Sequence, residues 1–153
     1  MIVLKARHYR EIISHSVNAL PNEACGLLGG RIEDGIKHVE KVYLLTNLDD
    51  SPEHFTMDPR EQFAAVKDMR SNGWELLGNF HSHPATPARP SEEDKRLAFD
   101  PGASYLILSL LNMEVPVLKS FRIIGGWVIE EELRVVEEEN IVEEENKYPG
   151  RKA

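Results

Sequence analysis

WELLGNFHSHPATPARPSEED, residues 74–94, reads as a strand, a proline-rich loop and the start of a short helix. Residues 74–83 carry enough Leu and Phe to be a central strand, and Pro84, with no N–H to offer a ladder, stops it. Prolines at 84, 87 and 90 stiffen a loop, and SEEDKRLAF then reads as a short helix. Ser91 stands as its N-cap and Asp94 where a capping-box acid belongs. Residues two apart on a strand share a face, so His81 and His83 present two imidazoles to one point while Ser82 points away. The stretch fits a rigid loop ending in a helix cap. It equally fits three ligands of one metal ion.

Outward from this stretch the chain alternates between the two periodicities. KARHYREIISHSVNA, 5–19, places Tyr9, Ile12, Ile13 and Val17 at helical spacing, and Pro21 marks the end. CGLLGGRI, 25–32, reads as a strand softened by glycines and turned at 33–35, and HVEKVYLLTN, 38–47, as its neighbour. PREQFAAVKDMRSNG is a helix capped by Asp58, opened by Pro59 and closed at Asn72-Gly73, with Phe63, Val66 and Arg70 at helical spacing. SYLILSLL, 104–111, is apolar nearly throughout, as a strand covered on both faces should be. PVLKSFRII and WVIEEELRVV read as two more strands joined through Gly125-Gly126. This order predicts an α/β fold, a mixed sheet with helices packed against it.

The 153 residues suit one domain, taken as 1–136, with 137–153 as an acidic tail that reads as a frayed helix or as plain disorder. Of the formal charge of −8, the stretch 130–153 holds −5, from nine Glu against four Lys or Arg. No Lys/Arg cluster is present to neutralise phosphates, which argues against a nucleic-acid partner. Neither a signal-peptide pattern nor a membrane-spanning apolar run is visible, so a cytoplasmic location is expected. The single cysteine, Cys25, excludes an internal disulfide and a cysteine-rich metal site, and its glycine-rich apolar setting reads as a buried small residue.

The chemistry then rests on few residues. His81 and His83 at the end of a strand, with Asp94 returned by the stiff loop, make three protein ligands. Three ligands leave a fourth zinc position for water, the open arrangement of catalytic rather than structural sites. Ser91 stands one turn before Asp94 on the same face. Glu23, just before the glycine-containing strand, is a candidate base that does not touch the metal, although it reads as well as a surface loop acid. The loop HFTMDP, 54–59, either lines the cleft or is simply a helix entry.

PNEACGLLGG followed by GNFHSHPATPARPSEED resembles the signature of the JAMM/MPN-type (Mov34) metallopeptidases: an upstream glutamate, His-x-His-Pro, six residues, then Ser-x-x-Asp. The pattern is met without a gap, and the similarity covers roughly residues 2–130. The resemblance implies a curved mixed sheet sandwiched between helices, with a layout like that of cytidine deaminases. It implies one zinc ion per chain on His81, His83 and Asp94, Glu23 as catalytic acid/base, and Ser91 as the serine that stabilises the oxyanion. The CGLLGG form and the lack of long inserts resemble the short prokaryotic members. These cleave after the C-terminal Gly-Gly of a small ubiquitin-like or sulfur-carrier protein, so such a protein is the expected partner. A nucleoside deaminase would need a Pro-Cys-x-x-Cys ligand set, which one cysteine cannot supply. The remaining alternative is a catalytically inactive MPN-type scaffold, against which the intact set of site residues argues. Oligomeric state is not legible.

Overall fold

The computed structural model describes residues 1–138. In chain order its elements are β1 Ile2–Lys5, α1 Ala6–Ala19, β2 Cys25–Glu33, β3 Ile36–Leu45, α2 Pro59–Ser71, β4 Glu75–His83, α3 Glu92–Arg96, β5 Ser104–Ser109, β6 Val117–Ile124, β7 Trp127–Glu131 and β8 Leu133–Val136. All eight strands join one mixed sheet in the order β7-β6-β5-β4-β2-β3-β1-β8. Strands β4 and β5 run parallel, as do β1 with β3 and β1 with β8. The remaining neighbours are antiparallel. Hairpins form where turn residues demand them. Asp34 and Gly35 both have positive φ between β2 and β3, and so do Gly125 and Gly126 between β6 and β7.

The mixed sheet is curved, as expected, but it curls further than a sandwich between helices. Strands β7 and β8 lie at opposite ends of the strand order, yet only Glu132 separates them in sequence. The sheet therefore curls until its two edges nearly meet, giving a near-barrel. The run 127–136, expected to be one strand, breaks at that point. A buried polar seam marks the closure. The Glu131 carboxylate accepts from the hydroxyls of Ser104 at 2.6 Å and Ser120 at 2.8 Å. Lys37 Nζ, nearly buried, donates to Ser104 Oγ and to the carbonyls of Gly102 and Leu77. β1, which lacks turn signals of its own, fills the gap between β3 and β8.

Alternation along β2 sends Leu28 into the main core and Leu27 to the opposite face. Helix α1 packs on the main core with Ile12, beside Leu4, Val39 and Phe80. Its buried side is His8, Ile12 and Ser16, so the expected apolar stripe is rotated and Val17 stays exposed. Helix α2 covers the other face through Ala65 and Met69 rather than Phe63, which is 72% exposed. The reason lies in β2: a Cβ at Gly29 would sit 2.9 Å from Met69 Cγ, so the glycine makes the shallow place where Met69 seats. As expected, Asp58 caps α2 by accepting from the Arg60 N–H. No helix among the described residues is long and apolar enough to cross a membrane. The expected acidic tail lies outside the described residues apart from Glu137 and Glu138.

Candidate metal centre

The middle of the sheet supplies the first two side chains. β4 is flanked by β2 and β5, so its end cannot fray, and His81 pairs in register with Cys25 on one side and Ile107 on the other. Phe80 and Ser82 face away, both fully buried, which leaves His81 and His83 together on the other face. Their Nε2 atoms lie 3.0 Å apart. His83 Nδ1 donates to the Pro87 carbonyl at 2.9 Å, so its Nε2 carries the lone pair. Ser109 Oγ holds the same loop by donating to the Thr86 carbonyl at 2.7 Å.

The loop delivers α3, and with it Asp94. Its Oδ2 stands 3.2 Å from His81 Nε2 and 3.3 Å from His83 Nε2. The same oxygen accepts from the Ser91 N–H at 2.8 Å, while Ser91 Oγ accepts from the Asp94 N–H at 3.0 Å. The capping box and the three-residue cluster are thus both present and share an atom. Ser91 Oγ only accepts in this box, so its proton remains free to be donated. Three potential ligand atoms converge within 4.8 Å of one another, and two ring nitrogens with one carboxylate oxygen are the donor set of an open zinc site. Contact with the His81 and His83 rings holds the Asp94 carboxyl well below the usual carboxylate range against the opposing effect of its burial. Burial lowers the His83 value, but the Asp94 carboxylate and the Pro87 carbonyl outweigh it and the net direction is up. One ring lacks its outer partner: His81 Nδ1 is buried without a hydrogen bond among the described residues. Phe55 stacks on that ring instead, with centroids 4.8 Å apart.

Glu23 is not a surface acid. It is 5% exposed, and burial, opposed by His83 and reinforced by Asp94, pushes its carboxyl up to about 8. It lines a cleft of about 620 Å³ together with His83 and Ser91. A second cleft, about 520 Å³, lies against His81 and Asp94 and is walled by Phe55, Leu97 and Phe99. The segment 54–59 serves both expectations, since His54 borders the first cleft, Phe55, Thr56, Met57 and Pro59 the second, and Asp58 caps α2. Cys25 is fully buried and its thiol is pushed up to about 12 by that burial, so it is no nucleophile. Sequence reasoning overlooked two supports. Ser82, although it points away from the cluster, accepts the Ala24 N–H on its Oγ at 2.8 Å, tying the residue after Glu23 to the histidine strand. Phe55 lies in the loop expected to line the cleft, but nothing in the sequence signalled its stacking on His81.

Residues 5–124 match the family described as prokaryotic homologues of the JAB domain. The CysO-cysteine peptidase of Mycobacterium tuberculosis is 33% identical over 138 residues, covering 90% of this chain and 93% of that one. A protein of Desulfitobacterium hafniense, solved in solution, superposes with a TM-score of 0.84 at 64% identity, over 90% of this chain and 94% of that one. A JAB1/MPN domain protein of Archaeoglobus fulgidus gives 0.55 at 25% identity, over 89% of this chain and 98% of that one.

Proposed function

The chain belongs to the family of prokaryotic JAB-domain homologues, and from that premise we propose that it is a zinc-dependent hydrolase of amide or isopeptide bonds. Its substrate on this reading is a conjugate made through the C-terminal Gly-Gly of a small ubiquitin-like or sulfur-carrier protein. The observation that carries the proposal is the convergence of His81 Nε2, His83 Nε2 and Asp94 Oδ2 beside a buried Glu23. The relative named for CysO-cysteine, alike over nine-tenths of both chains, supports the substrate class. Glycines suit the site physically, because only they let a backbone pass so close to a buried cluster.

His81, His83 and Asp94 would hold the ion, which when bound acidifies a water and polarises the scissile carbonyl. Glu23 takes the proton of the attacking water and passes it to the departing amine. Its carboxyl lines the cleft beside His83 and Ser91, where it can exchange a proton with groups held against the cluster. Ser91 donates a hydrogen bond from its free O–H to the oxyanion as charge develops there.

The test is elemental analysis joined to turnover of a ubiquitin-like protein whose Gly-Gly end is amide-linked to aminomethylcoumarin. We expect about one zinc per chain. Glu23→Gln should keep the metal and lose roughly 10²–10⁴-fold in rate. A Glu23→Gln variant as fast as the wild type would remove Glu23 from the mechanism, and a wild type that takes up no zinc would remove the reading as a whole.

A further inference from the structure

We propose that Asn47 is a positioning residue that sets the Glu23 carboxylate against the metal cluster, through the hydrogen bond of its amide to the Glu23 carbonyl. The inference rests on the reading of Glu23 as the base. Asn47 lies just past the end of β3, half-buried, where the chain leaves the sheet toward α2. Its side chain spends its whole hydrogen-bonding capacity. Nδ2 donates to the Glu23 carbonyl at 3.1 Å and to the His54 carbonyl at 2.9 Å. Oδ1 accepts from the Asp49 N–H and the Thr56 N–H, both at 3.0 Å. Two donors and two acceptor sites on one planar group are what a primary amide alone provides at this length.

The consequence for Glu23 follows from how its backbone is held. Glu23 precedes β2, so the sheet ladder does not fix it. Its N–H donates to the Ser51 carbonyl at 2.8 Å, and Ser51 belongs to the same loop that Asn47 organises. Its own C=O takes the Asn47 amide, and the next N–H, that of Ala24, goes to Ser82. Among the described residues Asn47 is thus the one side chain that hydrogen-bonds the backbone of Glu23 itself, and it also orders the loop supplying the other contact. The same amide reaches the far side of the cleft. It fixes the His54 carbonyl, and the His54 ring is 2.5 Å from the carboxylate of Glu93, the residue before Asp94. The segment carrying the base and the segment carrying a ligand are thereby referenced to one group.

Asn47→Asp is the discriminating substitution. It keeps the acceptor oxygen for Asp49 and Thr56, yet turns a carboxylate oxygen toward the carbonyls of Glu23 and His54, which repel it. In the zinc-loaded full chain, acting on the aminomethylcoumarin conjugate, kcat should fall roughly 10- to 100-fold, the effect of displacing a catalytic group by about 1 Å. KM should stay within about twofold and zinc content should be unchanged. Asp49→Ala, which frees Thr56 Oγ1 but leaves the Asn47 amide intact, should retain the wild-type kcat. In a Glu23→Gln background Asn47→Asp should add no further loss, because the residue it positions no longer acts. Wild-type kcat in Asn47→Asp, a loss confined to KM, or losses that multiply in the double variant would each overturn the proposal. Should Asn47→Asp fail to fold, Asn47→Ser, which also lacks the bridging amide, is read by the same measurements. A fully active Glu23→Gln variant fails the base assignment instead, and that result is separate from any of these.

Discussion

Removal of one hydroxyl at Ser82 should cost stability and activity together, and its magnitude can be worked from the contacts. Ser82 is fully buried and Ala24 is 2% exposed, so no water stands ready to replace the 2.8 Å bond from the Ala24 N–H to Ser82 Oγ. The reciprocal Ser82 N–H to Ala24 carbonyl bond, 3.0 Å, survives the change to alanine. Ser82→Ala therefore orphans one buried backbone donor, at a cost of about 1–3 kcal/mol. For a domain of this size each kcal/mol moves the melting temperature by about 2–4 °C, so a central value of ~2 kcal/mol predicts a fall of about 4–8 °C. The assay is thermal unfolding followed by circular dichroism with a chelator present, since a bound ion would add its own stabilisation to both proteins. With zinc restored, turnover should fall as well, because Ala24 adjoins Glu23. A variant melting within about 1 °C of the wild type, under ~0.5 kcal/mol, would refute the reasoning and make the Ser82 bond dispensable.

Two further outcomes follow from the site and from α1. Asp94→Asn keeps an oxygen for the Ser91 N–H but gives up the charge, so α3 should stay capped while zinc affinity drops by more than the roughly 10–100-fold typical of outer partners; dialysis against a competing chelator measures it. His8 is buried, its Nδ1 accepts from the Lys5 N–H, and burial beside Arg7 and Lys5 lowers it from 6.5 to about 4. Its folded value lies below the unfolded one, so the unfolded chain takes up the proton first on acidification. The stability it supports is complete above pH 6.5 and is lost as pH falls toward 4, by at most ~3 kcal/mol. His8→Gln should flatten that part of a urea-unfolding series, and an unchanged slope between the two proteins would deny His8 the role.

The cluster was legible in the sequence because its parts are local. Two histidines at the strand period and an aspartate in the next helical turn lie within fourteen residues, 81 to 94, and one proline-stiffened loop joins them. Glu23 was harder: position alone did not separate it from a surface acid, and only its burial and its place in the cleft do so. What failed were the features decided by closure of the sheet. Nothing in MIVLK announces a strand, because β1 exists only through pairing with β3 and β8, both distant in sequence. WVIEEELRVV contains no glycine or proline, and it breaks at Glu132 because Glu131 is drawn inward by Ser104 and Ser120. Helix faces failed for a related reason. An apolar count cannot foresee that His8 and Ser16 are buried, or that Met69 wins over Phe63 because a glycine lies beneath it.

The cap and the cluster at Ser91 and Asp94 share their atoms. A helix of five residues with none of them buried has little to stabilise it except its ends. The reciprocal bonds of the capping box therefore do more than finish α3. They fix the rotamer of Asp94, and the oxygen they fix is the one that meets both imidazoles. On the proposed reading, a carboxylate held by a backbone N–H would be in place before any ion arrives, which would lower the ordering cost of binding one. The box likewise orients the Ser91 hydroxyl by using its oxygen as acceptor, leaving the proton directed elsewhere. Cap and cluster are one construction, because the backbone N–H that finishes α3 holds the same oxygen that faces both imidazoles.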